Sequence, residues 1–185
     1  IWGFTVENEP HGNNSSWESM HYSPDEMTNF VKNFLGPQLE KDGKGDLIIL
    51  GYDQNRADLK NWVDSMYKNE ESSKYFDGTA VHWYDSTFEY YPDELQYAHN
   101  KAPNKYLIQT EACIDSEVPQ WEDDDWYFRK EATDWGYDWR EDEKKYLHPK
   151  YAPFNRYSRD IIGSLNNWVD GWVDWNMVLD TQGGP

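Results

Sequence analysis

The sequence has a single cysteine, Cys113, so no disulfide can form within it. It has no apolar run of the length needed to span a bilayer, which argues against insertion into a membrane. Cations are scarce: 17 Lys and Arg stand against 35 Asp and Glu, a formal charge of −18. Such a surface repels phosphate backbones and anionic lipid, so nucleic acid is excluded as a natural partner. Clustered metal ligands are missing too. The run Asp123-Asp124-Asp125 has no companion His or Cys group, and consecutive positions do not converge on one ion, so it reads as a solvated acidic face. Nothing calls for a metal or an organic cofactor. No internal repeat, linker or low-complexity tract divides the chain.

Aromatic side chains, by contrast, make up 17% of the sequence, with 11 Trp and 14 Tyr. Disorder is a poor fit to that content. Flat rings rimmed by carboxylates and amides suit a neutral polyhydroxy ligand, whose C–H faces stack and whose hydroxyls hydrogen-bond; the alternative is that the rings only fill the core. Asn13-Asn14-Ser15-Ser16 holds two overlapping glycosylation sequons, which count only in a secreted eukaryotic protein.

Ile1 to Pro10 reads as a buried strand, with Ile1, Trp2, Phe4 and Val6 as its apolar residues and Pro10 as its stop, delivering Asn8 and Glu9 at its end. Because the opening residues read as the inside of a strand, no secretory leader is expected to be visible there. After a polar loop, Ser23-Pro24-Asp25-Glu26 opens a helix through a capping box, with Met27, Phe30, Val31 and Phe34 at helical spacing and Gly36-Pro37 interrupting the run before Leu39. Asp46 to Asp53 is a second strand. Leu59, Trp62, Val63 and Met66 stripe a second helix. Phe76 to Tyr84 is a third strand, Pro92 to Asn100 a short helix, and Lys105 to Cys113 a fourth strand that ends on a carboxylate. Asp115 to Phe154 is a long acidic segment carrying Trp121, Trp126, Trp135 and Trp139. A helix from Arg156 to Trp168, with Ile161, Ile162, Leu165 and Trp168 inward, precedes a fifth strand, Gly171 to Asp180.

Strand and helix alternate, and each strand carries its polar residues at its C-terminal end. That pattern predicts an α/β fold in which a parallel sheet closes toward a TIM-type (β/α) barrel, with one shared site at the C-terminal face. Five strands are visible where a barrel has eight, so residues 1–185 are expected to form one partial catalytic domain with two open sheet edges.

Val6-Glu7-Asn8-Glu9-Pro10, Ala80-Val81-His82-Trp83-Tyr84, Thr110-Glu111-Ala112-Cys113, Trp172-Val173-Asp174-Trp175-Asn176 and the closing Gly183-Gly184-Pro185 together resemble glycoside hydrolase family 30, above all its glucosylceramidase-like branch. The resemblance implies that the chain holds about strands four to eight of the barrel. The early strands and the accessory β-sandwich of that family are then absent from the given sequence, and the enzyme would need them. It also implies a secreted, periplasmic or lysosomal-type location.

The resemblance implies Glu9 as acid/base and Glu111 as nucleophile of a retaining β-glycosidase, two carboxyls about 5–5.5 Å apart, with the charge of Glu111 raising the pKa of Glu9. Asn8 would bind the sugar 2-hydroxyl, Tyr84 orient Glu111, His82 hold Glu111 or a neighbouring carboxylate, and Trp175 form the aromatic wall, with Asn176 structural. Glu7 is expected deeper in the barrel, in a supporting ion pair, and Cys113 as a small buried residue. Asp53 and Arg56 are expected in the loop after the second strand, within reach of the cleft. The implied activity is that of a β-glucosidase. An endo-β-1,6-glucanase, a β-xylosidase or a β-fucosidase are alternatives within the family, and a sugar-binding module without turnover is the alternative outside it.

Overall fold

The computed structural model describes residues 1–12, 20–86, 89–113 and 152–178. Five strands, β1 (Gly3–Thr5), β2 (Ile48–Asn55), β3 (Gly78–His82), β4 (Tyr106–Glu111) and β5 (Gly171–Trp172), form one sheet in the order of the chain. Every neighbouring pair is parallel. Helix α1 (Pro24–Phe30), a π-helical turn (Val31–Leu35) and α2 (Gly36–Lys41) connect β1 to β2. A 3-10 turn (Arg56–Asp58), α3 (Leu59–Met66) and α4 (Glu70–Ser73) lead to β3; α5 (Pro92–Lys101) leads to β4 and α6 (Ala152–Asn166) enters β5. Parallel neighbours joined in sequence by helical crossovers make part of the wall of a β/α barrel. The sheet also curls as such a wall must. The Trp2 ring beside β1 lies 5.6 Å from the Tyr106 ring at the start of β4, although two strands separate them in the sheet.

The helices are held by an apolar layer on the outer side of the sheet. Met27 and Val31, Leu59, Trp62, Val63 and Met66, Leu95, and Phe76 before β3 are all fully buried there, with Ile49, Val81 and Leu107 from the strands. The capping box opens α1 as expected: Ser23 Oγ accepts from Glu26 N, and the Glu26 carboxylate accepts from Ser23 N. Gly36-Pro37 does not stop the helical run. The backbone widens into the π turn, Gly36 N donates to Val31 O, and Pro37 then stands at the opening of α2, where its missing N–H costs least. Gly36 is required by packing, since a Cβ there would sit 2.1 Å from the Tyr75 ring.

Three expectations need correction. Ile1 and Trp2 are exposed, and the first strand ends at Thr5 rather than Pro10; among the described residues only β2 stands beside it. The fifth strand is only Gly171–Trp172. Helix α6 turns the other way from its apolar stripe: Ile162, Leu165 and Trp168 are exposed, while Arg156, Asp160 and Ser164 are buried. The cause is Arg56, itself only 1% exposed, whose guanidinium grips both oxygens of Asp160 at 2.9 and 3.0 Å. Trp172 Nε1 and Ser164 Oγ also donate to Asp160. A buried cation needs its counter-charge more than a helix needs an apolar face inward. Arg56 therefore lies outside the sheet and not in the cleft. The sequons at Asn13 and Asn14, the segment Asp115 to Tyr151 with its Trp and Asp residues, and Gly183-Gly184-Pro185 lie outside the described residues. No helix among the described residues is long and apolar enough to cross a membrane.

Asp160→Ala would leave the Arg56 charge buried without its partner, at a cost of about 3–5 kcal/mol. Urea unfolding of the protein that carries this segment should show that loss. A change below about 1 kcal/mol would mean that the pair is compensated elsewhere.

Candidate active site

The C-terminal ends of β1 to β4 bend their backbones to bring side chains together. Past Thr5 the chain stays against β2 through Val6 N to Leu50 O at 3.1 Å and Glu9 N to Asp53 O at 3.0 Å. Glu9 itself is left-handed, with φ 53°. Regular strand alternation is lost there, so Glu7 does not share the face of Glu9 inside the barrel. Its carboxylate instead accepts Met20 N at 2.9 Å. On β2, Tyr52 and Asp53 are both left-handed, with φ of 74° and 62°, and the pairing with β3 slips between Tyr52 and Gln54. This bulge leaves Tyr52 in the outer core and presents the Asp53 carboxylate to its neighbours.

Asp53 thus sits within a strand and not in a loop, and it is nearly buried. Thr5 Oγ1 donates to its Oδ2 at 2.5 Å, Thr110 Oγ1 to its Oδ1 at 2.6 Å, and His82 Nε2 lies 3.0 Å from Oδ1. His82 also meets the two sequence-expected acids, one at each ring nitrogen. Nδ1 is 3.5 Å from Glu9 Oε1, buried and without a hydrogen bond, and Nε2 is 3.9 Å from Glu111 Oε2. A carboxylate oxygen of Glu9, one of Glu111 and a His82 nitrogen all lie within 4.8 Å of one another. Tyr84 Oη donates to Glu111 Oε1 at 3.1 Å. Glu9, Glu111, His82 and Tyr84 are therefore brought together.

The electrostatics follow from the crowding. Burial alone would depress the His82 pKa, but the hydrogen bond to Asp53, the close approach of Glu9 and the charges of Asp53 and Glu111 outweigh it and raise it to about 9. That direction favours the imidazolium, in which both ring nitrogens carry protons, at neutral pH. Burial pushes the Glu111 carboxyl up; the His82 charge and the Tyr84 hydroxyl pull it down, and Glu9 and Asp53 push it up again. The net direction for Glu111 is upward. Burial also pushes the Tyr84 phenol up, which keeps it a donor. Glu9, His82 and Glu111 have the number and spacing of metal ligands, and an ion bound there would have to displace a proton from His82.

The remaining expected residues lie at the rim. Asn8 is exposed at the mouth beside Glu9. Trp175 N donates to Ala112 O at 2.8 Å, which ties the segment after β5 to the end of β4, while its side chain is 44% exposed. Asn176 is half-buried. Cys113 is half-buried and not fully so, its sulfur 3.5 Å from Tyr84 Oη. Sequence reasoning placed Asp53 only vaguely and missed Gln109, which is fully buried and donates through Nε2 to the backbone carbonyl of Glu111. The available signals were an acid and an amide inside strands otherwise apolar, since such groups are buried only when paired.

The glycosyl hydrolase family 30 TIM-barrel domain matches residues 1–185. The lysosomal acid glucosylceramidase of Mus musculus is 30% identical over 188 residues, 100% of this chain and 32% of its own length. Among solved structures, SrfJ from Salmonella typhimurium superposes with a TM-score of 0.74 at 25% identity, over 100% of this chain and 35% of that one. The endo-β-1,6-glucanase BT3312 does so with a TM-score of 0.71 at 26% identity, over 100% and 35%. The chain spans about a third of the length of the curated relatives it matches.

Folding raises the His82 pKa from 6.5 to about 9, so its contribution to stability is complete below pH 6.5 and is lost as pH rises through about 9. The loss should amount to ~3 kcal/mol. Melting temperature measured between pH 6.5 and 9.5 should fall in the protein that carries this segment, and His82→Gln should remove most of that slope. An unchanged slope in the variant would rule out His82 as its source.

Proposed function

The chain belongs to glycosyl hydrolase family 30, and from that premise we propose that its site hydrolyses β-glucosidic bonds with retention, by double displacement. The observation that carries the proposal is the approach of Glu9 and Glu111, whose carboxylate oxygens come within 4.8 Å. That spacing suits a nucleophile and an acid on one anomeric carbon and leaves no room for the water an inverting enzyme places between its carboxyls. Glu111 attacks, its anion favoured by the His82 charge and the Tyr84 hydroxyl. Glu9 gives its proton to the leaving oxygen, then takes one from the water that cleaves the glycosyl ester. Asn8, exposed beside the acid, takes the 2-hydroxyl, and Trp175 supplies the wall of the sugar site.

An endo-acting β-1,6-glucanase is the second reading, favoured by the likeness to BT3312. The name of the mouse relative supports a secreted or lysosomal-type location. Trp2 beside β1 and Val173 after β5 are exposed at the two edges of the sheet, which supports a need for further barrel strands in the same polypeptide.

Proton NMR of the first-formed sugar should show the β-anomer, and an aryl β-glucoside tested beside a β-1,6-glucan separates the two readings. Glu111→Gln should abolish turnover and spare binding. Glu9→Ala should slow poor leaving groups by about 10²–10⁴-fold and activated ones far less. Hydrolysis retained in Glu111→Gln, or equal losses for both leaving-group classes in Glu9→Ala, would remove the respective residue from its role.

A further inference from the structure

The most heavily engaged side chain near the acids is not one of them. Asp53 takes a hydroxyl from Thr5 on β1, a hydroxyl from Thr110 on β4 and a ring N–H from His82 on β3, so one carboxylate on β2 is tied to three other strands. Its carbonyl also accepts Glu9 N, and Thr110 is the residue before Glu111. Asp53 therefore touches the flank of both acids without touching either carboxylate. Its left-handed backbone, beside a second left-handed residue, is a conformation that persists only where its surroundings demand it.

We propose that Asp53 is a positioning residue of this site: its carboxylate holds the His82 ring turned so that Nδ1 faces Glu9 and Nε2 lies beside Glu111. The proposal rests on the Glu9–Glu111 reading and names what holds that pair at usable charge. His82 is faced by Glu9 from the turn after β1, Asp53 from β2, Glu111 from β4 and the edge of the Tyr84 ring. Three of these are acids. Only Asp53 is within 3.0 Å of a ring nitrogen, and it anchors the Nε2 side, so the ring's orientation is set by this contact. The imidazolium then offsets the repulsion between Glu9 and Glu111 and favours an ionised nucleophile. A neutral ring would offer no charge to Glu111, and its one proton could serve only one of Asp53 and Glu9.

The consequence has a sign that a merely structural Asp53 would not produce. Its own charge pushes the Glu111 carboxyl up, and the charge it maintains on His82 pulls that carboxyl down by more. Asp53→Asn removes both. If Asp53 acts through His82, the acid limb of kcat/KM, which follows Glu111 ionisation, moves to higher pH by roughly 0.5–1 unit. If Asp53 acts only through its own charge, the limb moves to lower pH.

The test uses the full polypeptide with 15N-labelled histidine rings, a panel of aryl β-glucosides and a β-1,6-glucan. In the native protein both His82 ring nitrogens should be protonated at pH 7.5. In Asp53→Asn they should report a neutral ring, with the midpoint lowered by two units or more. An unchanged midpoint, or an acid limb that stays or moves down, would overturn the proposal. Should Asp53→Asn not fold, Thr110→Val serves instead. It removes a competing donor from the oxygen His82 uses and should raise the His82 midpoint, and a midpoint unchanged or lowered would count against Asp53. A native protein that hydrolyses none of these substrates would sink the glycosidase reading while the ring signals still decide what Asp53 does.

Discussion

Three carboxylates from three different strand ends crowd one imidazole, and the rest of the site depends on how that charge is held. Two like charges about 4 Å apart in partly buried surroundings repel by about 4 kcal/mol, more than a few neutral hydrogen bonds supply. A cation among Glu9, Asp53 and Glu111 offsets that repulsion. His82 is that cation, at the centre of the group. The surrounding acids raise its pKa against burial, whereas at Glu111 burial is the larger upward push and the charges of Glu9 and Asp53 add to it.

The backbone carries part of the cost. Glu9, Tyr52 and Asp53 are left-handed, a conformation that costs a residue with a side chain on the order of 1 kcal/mol or more. At Asp53 the bulge aims the carboxylate at His82. At Glu9 the turn, closed by Gly12 N on Glu9 O at 2.8 Å, brings the acid back toward β3 instead of letting it run on with the strand. The hydrogen bond from Glu9 N to Asp53 O links the two distortions, so neither relaxes without the other.

This explains which features could be read along the chain. Strand order, the parallel sheet and the apolar stripe of Leu59, Trp62, Val63 and Met66 follow from local patterns, and the structure places them as those patterns imply. The meeting of Glu9, His82, Tyr84 and Glu111 followed from motifs at strand ends. Glu7 was misplaced because a period of two was carried past the last true strand residue, Thr5. Asp53 was underrated because a bulge leaves no mark in an apolar run. Helix α6 was turned inside out because periodicity reports the apolar side and is blind to a buried Arg56 elsewhere in the sequence. In each case a long-range polar contact overrode a local pattern.

That buried ion pair reaches the chemistry through the backbone. Arg56 also donates to Gln109 Oε1, and Gln109 Nε2 donates to the carbonyl of Glu111, so a chain of contacts runs from α6 through the 3-10 turn to the end of β4. Trp83 Nε1 holds the Cys113 carbonyl at 3.0 Å, two residues further on, and Arg156 lies over the Trp83 ring at 4.0 Å while donating to its carbonyl. The Glu111 backbone is thus fastened from the helical side, and its carboxylate is approached from inside by Tyr84 and His82. Fixing main chain and side chain from opposite faces leaves Glu111 little freedom to lose when a substrate arrives, which is the part of a barrier that a rigid scaffold can remove in advance. The polar inward face of α6 is the cost of that arrangement, and the exposed Ile162 and Leu165 are its visible trace.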